Sequence, residues 1–80
     1  MSEKSASALK ALLEIWKEHR DRAREAHVKH AAWLGEHKAL LPPGHIELVD
    51  ETHEQLKSSV DFWDGRVHML EADIRSIPTD

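Results

Sequence analysis

The sequence reads as an all-α chain: an antiparallel two-helix hairpin of coiled-coil type that pairs with a second copy into a four-helix bundle. Three observations carry this. A proline-free stretch from about residue 5 to 41 is rich in Ala, Leu, Glu, Lys and Arg, which hold helix at little entropic cost. Leu41-Pro42-Pro43-Gly44-His45 then breaks it, because proline clashes with the preceding turn and disfavours helix in the residue before it. Beyond the break, apolar residues recur in alternating steps of three and four, the spacing of a coiled-coil seam.

The expected organisation is one domain over residues 1–80, with helix 1 at about 5–41, a turn at 42–45 and helix 2 at about 46–76. In helix 1, Glu18 with Arg22 and Glu25 with Lys29 have the acid-before-base, four-residue spacing that supports a helix. So short a connection leaves the two helices as antiparallel neighbours. The helix 2 seam runs through Ile46, Val49, His53, Leu56, Val60, Trp63, Val67, Leu70, Ile74 and Ile77 without a slip. Asp64-Gly65 is a turn signal inside that run. The unbroken phase from Trp63 to Val67 favours one continuous helix, closed by Ile77-Pro78.

Helix 1 is less regular. The same spacing assigns Leu9, Leu12, Trp16, Ala23, Ala26 and Trp33 to its seam, with His19, His30, His37 and Leu40 at the remaining positions and Leu13, Leu34 and Leu41 widening the face. Folding at 42–45 would set residues whose numbers add to about 87 opposite one another. Ala23 and Ala26 would then meet Val60 and Trp63, a small-against-large fit. Leu9 and Leu12 would meet Ile74 and Ile77, and Trp33 would approach His53.

Composition narrows the function. With no cysteine, disulfides, thiolate metal sites and thiol catalysis are excluded. No apolar run reaches the roughly 20 residues of a membrane span, and Met1-Ser2-Glu3-Lys4 lacks the layout of a signal peptide, so a cytoplasmic chain without a membrane role is expected. A formal charge of −4 offers no global basic field for a phosphate backbone. Lys17, Arg20, Arg22, Arg24 and Lys29 are interleaved with Glu18, Asp21 and Glu25, which describes a solvated ion-paired face rather than a nucleic-acid site. Charge is divided unevenly: residues 1–40 carry eight Lys/Arg and six Asp/Glu, and residues 41–80 carry three and nine.

Seven histidines in 80 residues are the most unusual feature. His27, His30, His37 and His53 are candidate ligands for a metal-binding or metal-responsive bundle. The pattern is incomplete, with one carboxylate-x-x-His version in Asp50-Glu51-Thr52-His53 and no His-Glu-x-x-His. No cofactor is called for. A Gly-rich phosphate loop and a Gly-x-Ser-x-Gly elbow are also missing, and a two-helix rod leaves little room for a pocket, so enzymatic activity is not expected.

Apolar residues remain outside the seam: Leu48, Phe62 and Met69 on helix 2, Ile15 and Val28 on helix 1. A second apolar stripe of this kind marks a binding surface. Rimmed by Asp61, Asp64 and Glu54, it would serve self-association into a homodimer or docking of another protein. The expected function is a small protein-binding module that occludes or bridges a partner: a regulator, an adaptor, or an inhibitor of the kind phages direct at host proteins. The runner-up is the histidine metal bundle, and a structural subunit of a larger assembly is third.

Overall fold

A computed structural model of the chain describes residues 3–77, so Pro78, the expected terminator, lies outside the described residues. Helix α1 spans Glu3–His37, a 3-10 turn follows at Lys38–Leu40, and helix α2 spans Pro43–Arg75. The helices pack against each other over their length in a rod of 61 × 14 × 14 Å, and no strand occurs among the described residues. α2 passes through Asp64-Gly65 without a break. No residue there needs a left-handed conformation, and Asp64 is tied across the hairpin to Arg24 instead of to a local turn.

The connection is tighter than the expected 42–45. Pro43 is the first residue of α2, a position proline favours because its fixed φ suits the helix and its missing N–H has no acceptor there anyway. Leu41 and Pro42, both extended, make the whole turn. At its other end, α1 tightens from α to 3-10 geometry after His37, with Leu41 N–H donating to the Lys38 carbonyl at 3.2 Å. The shorter turn shifts the pairing. His53 meets His30 and His27, and Trp63 meets His19 and Trp16. Each partner lies one to two turns (roughly 3.6 residues each) nearer the N-terminus than residues adding to 87. The ion pairs Arg24–Asp64 and Lys38–Asp50 keep the wider spacing, because their long side chains reach along the rod.

α2 presents its expected face inward: from Ile46 to Ile77 every seam residue is buried or half-buried. The inward face of α1 differs from expectation. It follows Leu9, Leu13, Trp16, Arg20, Ala23, His27, His30, Leu34, His37 and Leu41, all half-buried, while Ala26 and Trp33 are exposed. Leu12 is half-buried beside the seam and Leu40 is 78% exposed. The cause is local. Leu12-Leu13, Trp33-Leu34 and Leu40-Leu41 put an apolar residue on either of two neighbouring faces, and the choice of Leu13, Leu34 and Leu41 brings His27 inward in place of Ala26.

Among the described residues only Val67 (2% exposed) and Leu70 (5%) are fully buried. At about 1.5–3 kcal/mol for each such side chain, two of them offset little of the ordering entropy of a chain this size.

Candidate binding surface and histidine cluster

With the inward faces known, the two long sides of the rod are defined, because in an antiparallel pair the residues flanking the seam on one side face their counterparts on the same side. One side is charged. Lys10, Lys17, Arg24 and Lys38 of α1 fall in one seven-spaced row interrupted by Ala31, and Asp50, Asp64 and Glu71 of α2 fall in another that also holds Lys57. Arg24 donates to Asp64 at 2.7 Å and Lys38 pairs with Asp50 at 2.8 Å, closing this flank across the hairpin. Asp64 was expected on the rim of the apolar stripe; its pairing with Arg24 places it on the opposite side of α2. Asp61 and Glu54 are exposed, on the outer face of α2.

The other flank is apolar and open. On α1 it carries Leu12, His19, Ala26, Trp33 and Leu40, seven apart, with Ile15 beside them in an outer row that continues through Arg22, Lys29 and Glu36. On α2 it carries Leu48, Phe62 and Met69 in one seven-spaced row with Gln55, and Thr52, Ser59, Arg66 and Asp73 in the next. Apart from Val28, which is 64% exposed on the outer side of α1, every exposed large apolar side chain among the described residues belongs to this flank. Aromatic rings concentrate here. Trp63 packs edge-on to Trp16 (6.4 Å) and Phe62 (5.1 Å) and face-on to His19 (4.8 Å), and the Arg66 guanidinium sits 5.1 Å from the centre of the Phe62 ring. Trp33 stacks on His37 at 5.0 Å and does not approach His53.

Three of the four candidate metal ligands come together. His53 is sandwiched between His27 (4.6 Å) and His30 (5.4 Å), and the Nδ1 atoms of His30 and His53 lie 3.2 Å apart, one donating to the other. His27 Nε2 is buried without a hydrogen-bond partner. The three rings are nearly parallel, with interplanar angles of 25° and 20°. The Nδ1 atoms of His30 and His53 engage each other and the His27 ring stacks on His53 face to face, so the trio does not aim three lone pairs at one point as a metal needs. No group of three or more His, Asp or Glu side chains is placed to hold a metal among the described residues. His37 turns instead to the Trp33 carbonyl at 3.1 Å, and Asp50, one turn before His53, is taken by Lys38.

Shallow depressions among the described residues include one by Gly44, Leu48 and Glu51 near the turn and one by Arg20, Asp64 and His68 on the charged flank. Of the carboxylates, Glu25 is held below its ordinary pKa range by the hydrogen bond and charge of Lys29, an exposed pair that locates no chemistry. No helix among the described residues is long and apolar enough to cross a membrane. Comparison with protein-family models, with curated proteins and with solved structures gives no significant match.

Leu12, His19, Ala26, Trp33 and Leu40 are the flank residues that the sequence reading placed in the seam. The signal that finds them is the seven-spaced row Lys10, Lys17, Arg24, Lys38. A basic row flanking one side of the seam, opposite the acidic row of α2, fixes which side of α1 is charged and hence which residues face away from it.

Proposed function

We propose that this chain is a non-enzymatic protein-binding module that acts sterically, covering or bridging a protein surface with its open apolar flank. One observation carries the reading: apart from Val28, the large exposed apolar side chains among the described residues gather on one flank, while ion pairs bridge the other. A molecule that merely tolerated surface apolar residues would scatter them, and contiguous apolar surface with a polar surround is how protein contacts are built. Regulation, inhibition and adaptor work all fit a rod with one adhesive side, and none requires a catalytic pocket.

The test is Phe62→Asp compared with wild type in two measurements, the mass in solution and capture of proteins from native lysate. Loss of self-association or of a captured protein in the variant, with helical content kept, supports the flank as the contact. If neither changes, the contact lies elsewhere and the reading falls.

A further inference from the structure

We propose that the occupant of the open flank is a second copy of this chain, related by a two-fold axis that crosses the rods at the height of Ala26 and Ser59. This rests on reading the flank as a binding surface, and it names what binds there.

Area is the first argument. One whole side of the 61 × 14 × 14 Å rod is on the order of 850 Å², so a copy lying along its full length would cover about the 800 Å² that each partner gives to a standard-size interface. Need is the second, since among the described residues only Val67 and Leu70 are fully buried and a hairpin this small lacks a core until another layer covers it.

Charge selects the occupant. A protein carrying −4 repels its own copy, so self-association requires a surface without net charge, whereas a foreign basic partner would be drawn to the acidic outer face of α2. Over the span from Leu12 to Leu40 and from His45 to Asp73, the innermost rows of the flank hold one basic and one acidic residue, Arg66 and Asp73, and so carry no net charge.

The shape of the flank selects the axis. Its innermost rows are small in the middle, with Ala26 on α1 and Ser59 on α2, while Phe62 stands one turn beyond Ser59 in the outer row and further bulk lies to both sides: Trp33, Leu40 and Leu48 toward the turn, Leu12 and Met69 toward the open end. A crossing axis therefore reverses one rod on the other. It sets Leu40 against Leu12 of the partner subunit and Leu48 against Met69 of the partner subunit, with the small residues allowing close approach at the centre. An axis running along the rods would instead place the two turn-end acidic clusters, Glu47, Asp50, Glu51 and Glu54 of each copy, at the same end, where like charges oppose assembly.

Because the chain has no cysteine, single introduced cysteines report which positions meet their own copy. Ala26→Cys, exposed in the hairpin, is compared with Leu40→Cys under mild oxidation, alongside the solution mass of the wild type. Expected are a mass twice 9.2 kDa and covalent dimer favoured about tenfold at Ala26 over Leu40, since only a pair within disulfide reach can close. Should Ala26→Cys lose helical content, Ser59→Cys reads the same axis from α2. A 9.2 kDa species at every concentration overturns the proposal, and the flank reading survives it if Phe62→Asp still loses a captured protein. A dimer that cross-links at Leu40 and not at Ala26 or Ser59 overturns the arrangement.

Discussion

The two halves of the rod share one seam spacing and fill it differently. Toward the open end, Trp16 meets Trp63, and Val67 and Leu70 are the fully buried side chains. Toward the turn, the same layers hold His27, His30 and His53, stacked ring on ring, with one ring nitrogen left unpaired. The half next to the covalent connection is thus the weaker-packed one. Heptad spacing decides which way residues face; what occupies the positions decides how much each layer contributes.

The largest expected effect tests that contrast directly. Leu70→Ala should cost about 2–5 kcal/mol, the range for deleting a buried leucine, while Leu34→Ala, half-buried in the turn half, should cost clearly less. Chemical denaturation of both variants reads the difference, and equal losses would erase the contrast. The next effect has the opposite sign. His27→Leu removes a buried nitrogen without a partner, a defect of about 1–3 kcal/mol, and should raise the unfolding midpoint; a lower midpoint would mean that the stacked trio is itself a stabilising core. The smallest effect should be indifferent to the halves. Gly35 and Gly65 are helical with open space around them, so alanine at either should stabilise by about 0.5–1 kcal/mol through backbone entropy alone. A gain at only one site would show that local order differs between the halves.

These halves also show why some of the molecule was legible in the sequence and some was not. α2 could be read through because Ile46 to Ile77 has an apolar or histidine side chain at every three- or four-residue step, so a single phase satisfies all of it. α1 offers two phases, since each of Leu12-Leu13, Trp33-Leu34 and Leu40-Leu41 serves either. Preferring the apolar Ala26 to the neighbouring His27 chose the wrong side in the turn half, where histidines fill the interior. The turn was misplaced for a separate reason, as Pro43 acts as a helix starter there rather than as a breaker. Ile15, Leu48, Phe62 and Met69 were recognisable as surplus apolar residues without knowledge of the turn. That they share a flank with Trp33 and Leu40 depends on the phase of α1, which the doublets leave open and which the cross-helix contacts settle in agreement with the basic row Lys10, Lys17, Arg24 and Lys38.

The central physical claim is that this hairpin is completed by covering its open flank. The most direct measurement is the thermal unfolding midpoint followed by circular dichroism over about a hundredfold range of protein concentration, since association of folded chains stabilises by mass action. The midpoint should climb steadily with concentration in the wild type and stay flat in Phe62→Asp. A wild-type midpoint that does not move over that range, in a chain of 9.2 kDa solution mass, would contradict it.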